Sequence, residues 1–394
     1  MKISQILILS SIVLMLIYSC SNEPKKKSNI NAFTDVKPAH LNIIKKIILP
    51  DSITSLIPCD FSRNGEEILA FSYSSQSIFI IDTSGNVTLS MNRCGDGPGE
   101  YGEIFGLSFM DSIIVVSSRT HIIFYDKESG KFLREIHLRK LDRPIQMNLG
   151  FNIPWYRSND MDTTFVSLRY NWEFADHRKE VKWLNLYNIT QDTNVIAGGI
   201  SEQSMYSNED RRFNEVVPKV TSSEDGKYVY MMYESENKLY QYSLEPTFKL
   251  DSIFYFEAVG YDHIYSFPKN ISDEKIEKEA FKAGQLNNKF YKIISSGDDI
   301  FISDSKGLNE NVIVDNRAEY MEKDLATLRK HYLRILDLKN GIKTNEILLE
   351  DNENHPLNFC LASGSHVVLK QLRKKDEDEQ QNQILYIGEI VYEN

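Results

Sequence analysis

One region of the chain, between residues 155 and 183, combines aromatic and charged side chains in the way that ligand-binding surfaces do. It contains all 3 tryptophans of the protein, Trp155, Trp172 and Trp183. Charged and hydrogen-bonding residues surround them in the sequence: Tyr156, Arg157, Asp160, Asp162, Arg169, Asp176, His177 and Arg178. Aromatic faces beside such groups suit a sugar or a peptide, and long loops on a rigid scaffold are where binding residues collect.

We therefore predict that this aromatic region binds a ligand. The candidate binding residues are Trp155, Tyr156, Arg157, Trp172 and His177. Trp183 lies inside an apolar run and is expected in the core of the protein. Trp155 lies in the loop-like stretch 152–156, where a core position and a surface position are both open.

A second set of candidates lies in the glycine-rich run from Arg93 to Tyr101. The string from Gly97 to Gly102 matches G-x-G-x-x-G, but a dinucleotide loop leads from a strand into a helix, and here a strand follows. We therefore do not interpret it as a nucleotide site. Asp96 and Glu100 could line a ligand site at the rim of the fold. Alternatively, they accept hydrogen bonds from the amides of their own turn, as turn carboxylates commonly do.

The remaining sequence shows no recognisable catalytic or metal-binding pattern. Its 8 histidines are scattered without HxH or HExxH spacing, and no G-x-S-x-G elbow is present. We read the acidic run at 374–381 as a solvated hairpin loop, and we predict neither a metal nor a cofactor. A net charge of −11 and a pI near 5.4 argue against a nucleic-acid partner, which requires a basic surface.

The N-terminus has the layout of a secretory signal that ends at a lipidated cysteine. Lys2 precedes an apolar run from Ile6 to Ile17, and Ser19-Cys20 then resembles the end of a bacterial lipobox. We predict a signal peptide at 1–19, lipidation at Cys20 and a flexible tether over 20–40. The alternatives are an uncleaved anchor, although the apolar run is short for a transmembrane helix, and an ordinary signal peptide with a chance cysteine. The expected location is the outer membrane, facing the periplasm or the cell surface.

From residue 41 to residue 394 the chain repeats a strand pattern. Runs at 67–72, 77–82 and 87–91 read as strands, and the pattern recurs at the interval from Asp82 to Asp126, the length of a propeller blade. Six units can be traced, and the last lacks a fourth strand, which the run 42–49 could supply by closing the ring. Helical patterns at 272–284 and 318–330 interrupt the repeats. The predicted fold is an all-β, six-bladed β-propeller with small helical insertions, and we expect a monomer.

Three cysteines remain once Cys20 is lipidated, so at most one disulfide can form among Cys59, Cys94 and Cys360. Cys59 and Cys360 fall on the innermost strands predicted for neighbouring blades. A bond between them is not expected, because such strands diverge around a channel and a disulfide requires Cα atoms within about 7 Å.

The segment Gly95-Asp96-Gly97-Pro98-Gly99-Glu100-Tyr101 resembles the GxGPGEY segment of the six-bladed, NHL-like β-propeller lipoproteins of Bacteroidetes. Its position after a first blade and behind a lipoprotein signal supports the resemblance. The resemblance implies the same fold and the same location in the cell envelope, and it carries no catalytic residues over to this chain.

These observations favour a membrane-tethered β-propeller that binds a glycan, a peptide or a protein in the cell envelope. The alternative is a hydrolase or lyase with acid–base residues at the mouth of the channel. Because propellers host both kinds of function, the fold does not decide between them. An enzyme would require two carboxylates, or a carboxylate and a histidine, to converge in the channel with perturbed pKa values.

Overall fold

Six of the sheets of the protein follow one another around a ring, and a further two-stranded sheet lies outside the blades. This arrangement is seen in a computed structural model, which describes residues 29–118, 121–137, 155–157, 163–168, 181–213, 216–244, 248–258, 264–323, 325–353, 355–372 and 383–393. Each of these six sheets is one blade, with its first strand innermost, and in two blades a strand from the N-terminal region is added outside the fourth strand. The innermost strands of blades 4, 5, 6, 1 and 2 lie next to one another in that order. The six-bladed propeller predicted from the sequence is confirmed.

The strands have the following bounds, in chain order. Three precede the first blade: β1 (Asn29–Phe33), β2 (Asp35–Lys37) and β3 (Ala39–Ile48). Blade 1 contains β4 (Leu56–Phe61), β5 (Glu67–Ser72), β6 (Ser77–Asp82) and β7 (Val87–Met91). Blade 2 contains β8 (Ile104–Met110), β9 (Ile113–Ser118), β10 (His121–Asp126) and β11 (Phe132–His137). Blade 3 contains β12 (Trp155–Arg157), β13 (Thr163–Leu168), β14 (Lys182–Asn188) and β15 (Thr193–Gly199).

The second half of the ring contains the longer insertions. After β16 (Arg211–Arg212), blade 4 contains β17 (Lys219–Ser222), β18 (Tyr228–Met232), β19 (Lys238–Ser243) and β20 (Lys249–Phe256). The short strand β21 (Phe267–Pro268), which pairs with β16, and helix α1 (Asp273–Leu286) then lead to blade 5. Blade 5 contains β22 (Lys289–Ser296), β23 (Asp299–Ser305), β24 (His331–Asp337), β25 (Ile342–Thr344) and β26 (Ile347–Leu348), with helix α2 (Arg317–Glu322) between β23 and β24. Blade 6 contains β27 (Leu357–Ser363), β28 (His366–Gln371) and β29 (Ile384–Tyr392).

The central strands of each blade are apolar on both faces because a neighbouring blade covers each face. Strand β6 is buried from Ser77 to Ile81, and β10 is buried from Ile122 to Tyr125. Between blades 5 and 6, the rings of Phe301 and Phe359 stack with their centroids 6.3 Å apart. The core is therefore a series of blade-to-blade interfaces, as continuous apolar strands require.

The chain closes the ring with its own N-terminal region. Strand β3 pairs antiparallel with β29, from Ala39 opposite Tyr392 to Ile48 opposite Ile384, and so supplies the fourth strand of blade 6. The predicted closure is confirmed. The edge of β29 is thereby paired, and β3 becomes the outermost strand of blade 6.

Residues 29–48 form a belt across the outer edges of three blades. Strand β1 pairs parallel with β20 of blade 4, β2 pairs parallel with β25 of blade 5, and β3 then completes blade 6. The tether predicted over residues 20–40 was therefore too long, since its second half is strand. The segment forms strands because it pairs with the outer strands of existing blades, which stabilises an extended conformation that its own sequence pattern does not predict.

The aspartates that set the sequence period are caps of the turns between the third and fourth strands. In blades 1, 2 and 5 the carboxylates of Asp82, Asp126 and Asp337 accept hydrogen bonds from the backbone N–H groups of Asn86, Ser129 and Asn340, at 2.8, 2.8 and 2.9 Å. A glycine with positive φ, such as Gly341 at 68°, completes the turn. The sequence repeat thus reflects the same turn in several blades, which begins with an aspartate that accepts hydrogen bonds from the turn backbone.

The antiparallel order of each blade gives the ring two different ends. The turns between strands one and two and between strands three and four of each blade lie at one end of the ring, which we call the short-turn end. Examples are 111–112 and 297–298 of the first kind and 83–86 of the second. The other end, which we call the long-loop end, receives the links between blades and the connections between strands two and three. Their described parts include 92–103, 200–213, 264–288 and 306–323.

The two helical insertions meet at the long-loop end and pack on each other. Phe281 of α1 contacts Tyr320 of α2 edge to face at 5.7 Å, and Gln285 exchanges hydrogen bonds with the backbone of Val314. The buried guanidinium of Arg329 donates to the carbonyls of Gly284 and Gln285. Because these C-terminal carbonyls are satisfied, α1 continues past the predicted stop at Gly284 to Leu286. The second predicted helix, 318–330, is divided into α2 and a 3₁₀ turn at Leu325–Leu328.

Candidate functional site

The structure places the first three aromatic-region candidates on a strand. Trp155, Tyr156 and Arg157 form β12, the innermost strand of blade 3, with Trp155 opposite Phe165. The loop predicted at 152–156 was therefore wrong at Trp155, where pairing with β13 imposes a strand. The structure describes the backbone of these three residues, and Trp172 and His177 lie outside the described residues. The core position predicted for Trp183 is confirmed, since only 2% of its surface is exposed.

The glycine-rich segment is a link between blades 1 and 2 that is held by two buried tyrosines. The hydroxyl of Tyr101 donates to the carbonyl of Met91 and accepts from the N–H of Arg93, at 3.0 and 3.1 Å. The hydroxyl of Tyr125, in blade 2, donates to the carbonyl of Gly99 at 2.9 Å. Gly99 has a φ of +69°, and a Cβ there would meet the ring of Phe132. The segment leads into strand β8, as predicted, and not into a helix.

The two carboxylates of this link have different surroundings. Glu100 accepts a hydrogen bond from the N–H of Gly97 at 2.8 Å, and its carboxylate fills the space beside Gly95. Asp96 is exposed at the surface of the link. Glu100 therefore caps its own turn, which was the alternative to ligand binding. A ligand role for Asp96 and Glu100 stays a prediction.

A group of ionisable residues lies on the innermost strands, of which the sequence placed Cys59 and Cys360 there and missed Asp60 and Lys292. Cys59 and Asp60 are on β4, Lys292 is on β22 and Cys360 is on β27, in the adjacent blades 1, 5 and 6. We call these four residues the channel cluster. Cys59 and Cys360 are the extra residues of two β-bulges, and Phe105 and Tyr291 occupy bulges in β8 and β22. Because bulges re-aim side chains, the cluster becomes visible only when the strand order and register are known.

Asp60 is the only carboxylate of the channel cluster, and both its oxygens are engaged. Oδ1 accepts from the N–H of Phe61 at 2.9 Å, and Oδ2 accepts from the N–H of Phe109, on the innermost strand of blade 2, at 2.7 Å. Burial raises the pKa of Asp60 to about 6, although these hydrogen bonds and the charge of Lys292 oppose the shift. Burial likewise lowers the pKa of Lys292, and the nearby cysteines and Asp60 oppose that shift.

The two thiols of the channel cluster are buried and free. Burial raises the pKa of Cys59 and of Cys360, which keeps both thiols protonated near neutral pH. Each donates to a backbone carbonyl of its own strand, Cys59 to Ile57 and Cys360 to Asn358. A protonated, buried thiol is a poor nucleophile, so the geometry does not favour thiol catalysis.

A second group of polar residues lies in the link between blades 5 and 6. Asp351, Glu353 and His355 place one ligand atom each within 4.8 Å of one another. Asp351, however, already accepts hydrogen bonds from the N–H groups of Glu353 and His355, at 2.9 and 2.8 Å, and from the hydroxyl of Tyr386 at 2.8 Å. Burial opposes ionisation of Asp351, but the hydrogen bonds outweigh it and lower the pKa to about 2. The geometry is that of a capped turn tied to β29, and the prediction of no metal is unchanged.

The family of the protein follows from its sequence together with this fold. The profile of DUF5128, described as a 6-bladed beta-propeller, matches residues 64–303, more than half of the chain. The chain belongs to the DUF5128 family. The six blades seen here agree with that description. The finer resemblance of this DUF5128 protein to NHL-like lipoproteins with a GxGPGEY segment stays a prediction.

Solved structures of low sequence identity share the fold of this DUF5128 protein. A member of the DUF4221 family from Bacteroides vulgatus has a TM-score of 0.65 at 9% identity, covering 91% of this chain and 99% of that chain. A Bacteroides fragilis protein described as exported has a TM-score of 0.54 at 11% identity, covering 93% and 100%. Such low identities show the fold alone. No curated protein matches the sequence.

Within the residues that the structure describes, no helix has both the length and the apolar character needed to cross a bilayer.

Proposed function

We propose that this protein is a lipid-anchored β-propeller of the cell envelope that binds a glycan, a peptide or a protein at its long-loop end. The observation that carries the proposal is the concentration of insertions at one end of the ring. Both helices and the long links lie there, and β13 ends and β14 begins there, on either side of the aromatic region that contains Trp172 and His177. Long connections on a rigid ring are where a propeller can vary its surface without disturbing its core.

Binding is favoured over catalysis by the chemistry of the channel cluster. Among the described residues of the cluster, Asp60 is the sole carboxylate, and its two oxygens hold backbone N–H groups of blades 1 and 2. The thiols are kept protonated by burial. One observation favours the alternative, a hydrolase or lyase: a carboxyl with a pKa of about 6 near a buried amine has the acid strength of a general acid at neutral pH.

The location in the envelope is supported by the signal layout before Cys20 and by the structural similarity to an exported protein. We infer lipidation at Cys20, attachment to the outer membrane, and a monomer facing the periplasm or the cell surface. Cys20→Ala should release the protein from the membrane or leave an unprocessed precursor, because alanine has no thiol to which the lipid can be attached. The distribution between membrane and soluble fractions, read with the mass of the chain, checks this. Unchanged membrane attachment and processing would contradict it.

The binding site is tested with variants of the aromatic region against glycan and peptide arrays. Trp155→Ala and Trp172→Ala should each weaken binding by about tenfold or more, the loss typical of an aromatic anchor, while the melting temperature stays that of the wild type. Trp183→Phe is the matched control, since a buried tryptophan should affect the melting temperature and leave affinity unchanged. A fall in stability with Trp155→Ala would show that this residue is part of the core instead.

A further inference from the structure

The belt presents an apolar and basic face to the outside of the ring. The exposure of the side chains alternates along β3, and the exposed, outward positions are His40, Asn42, Ile44, Lys46 and Ile48. Ile44 and Ile48 are 51% and 57% exposed, Val36 on β2 is 52% exposed, and Leu348, on the strand that lies beside β3, is 39% exposed. Outermost strands of other blades also expose large aliphatic residues, such as Leu133 at 49% and Val195 at 52%, so exposure alone does not distinguish the belt. What distinguishes it is its place in the chain, next to the lysines and the proposed anchor.

The position of the belt in the chain indicates what covers it. Asn29, where β1 begins on the edge of blade 4, follows Cys20 by nine positions. A chain of that length spans at most about 30 Å when fully extended. A lipid on Cys20 would therefore hold the edges of blades 4, 5 and 6 close to the membrane, and Lys25, Lys26 and Lys27 lie in the same short linker.

We propose that the outward face of the belt rests on the bilayer in which the lipid of Cys20 is inserted. The side chains of Val36, Ile44, Ile48 and Leu348 enter the boundary between headgroups and acyl chains, and Lys37 and Lys46 reach the headgroup phosphates. The outward face of β3 carries Lys46 and no carboxylate, and β2 exposes Lys37 together with Asp35, in a chain of net charge −11. Aliphatic residues framed by lysines are the composition that binds a membrane interface. The inference rests on the proposed lipid anchor.

This contact would set the orientation of the whole ring. With the outer edges of blades 4, 5 and 6 on the membrane, the channel axis lies along the membrane plane. The outer strands of blades 1, 2 and 3 then point away from the bilayer, and both ends of the channel are open to ligands from the side.

The contact is tested with an environment-sensitive fluorophore placed at single cysteines in the lipidated, full-length chain. Cys94→Ser removes the exposed native thiol, while Cys59 and Cys360 are buried and protonated and do not react. The labelled positions are Ile44→Cys, Ile48→Cys and the matched control Val195→Cys. Val195 is 52% exposed on the outermost strand of blade 3, on the opposite side of the ring.

In vesicles that contain lipids with a quencher on the acyl chain, the fluorescence at 44 and 48 should be lost while that at 195 is retained. Equal quenching at all three positions, or none at 44 and 48 in a membrane-bound chain, overturns the proposal. Protection of 44 and 48 from an aqueous quencher without quenching by lipid would show that a protein covers the face, which also overturns it. A chain that does not bind vesicles because Cys20 carries no lipid contradicts the proposed anchor itself.

Discussion

The carboxylate of Asp60 connects the inner strands of two blades while it lies beside the amine of Lys292. Its hydrogen bonds to the N–H groups of Phe61 and Phe109 satisfy donors at the inner edges of blades 1 and 2. Other links between blades use the same device: Thr221 in blade 4 accepts from Ser295 in blade 5, and Ser296 accepts from Gly364 in blade 6. At the scale of single residues, polar side chains near the channel are thus used to join blades.

The raised pKa of Asp60 predicts a pH-dependent contribution to stability. Between pH about 4 and 6 the folded chain keeps a proton that the unfolded chain has released, so the wild-type free energy of unfolding falls as pH rises through this window. Asp60→Asn removes this component. From pH 4 to pH 7 the stability of the variant should rise relative to that of the wild type by on the order of 1–3 kcal/mol.

Urea unfolding of both proteins at several pH values measures this difference. The difference is the proper readout because other groups titrate in the same range: burial lowers the pKa of His331 to about 4 and raises that of Asp299 to about 6. Glu128→Gln, at an exposed turn position, is the control and should leave the pH profile unchanged. If the free energy of unfolding depended on pH in the same way for the wild type and Asp60→Asn, the pKa of Asp60 would not be raised in the folded chain, which would contradict the prediction.

At the scale of elements, the ring depends on the inward face of β3. Ile47 is 2% exposed and lies opposite Leu385, whereas its neighbour Ile48 is 57% exposed on the outward face. The two residues have the same side chain and adjacent positions in one strand. They therefore separate the structural role of the strand from the role proposed for its surface.

Ile47→Asp should lower the free energy of unfolding by about 3 kcal/mol or more, because it buries a carboxylate in the closing interface. Ile48→Asp should change it by no more than about 0.5 kcal/mol in solution, since it replaces an exposed side chain. Chemical unfolding of the two variants measures both values. Similar losses for the two variants would contradict closure of the ring through the inward face of β3.

The sequence predicts correctly those elements whose own residue pattern favours the conformation that they adopt in the folded protein. The apolar runs of β6 and β10, the aspartate caps after them and the closing strand all carry their own signal. Strands β1, β2 and β12 carry none, because pairing with a neighbouring strand decides their conformation. The sequence places Cys59 and Cys360 on neighbouring innermost strands but misses Asp60 and Lys292. The four residues come from three distant strands, and blade order and bulges bring them together, which no spacing in the sequence reveals.

At the scale of the whole molecule, the ring has three regions with different roles: the belt formed by the N-terminal strands, the short-turn end and the long-loop end. The belt covers the edges of blades 4, 5 and 6, the short-turn end carries compact capped turns, and the long-loop end carries the helices and the links. The residues singled out in the sequence fall into different regions of the ring. Glu100 belongs to a rigid link, Trp183 to the core, and the prediction for Trp155, Tyr156 and Arg157 now concerns the innermost strand of blade 3.

The central claim, that the long-loop end is the binding end, is tested most directly by hydrogen exchange of the chain with and without the ligand that it retains on the arrays. The account predicts slower exchange in the presence of ligand at 92–103, 155–157, 200–213 and 233–237, which lie at the long-loop end or lead from it. Exchange in the turns 83–86, 127–131 and 338–341 should not change. Protection confined to those short turns would contradict the claim.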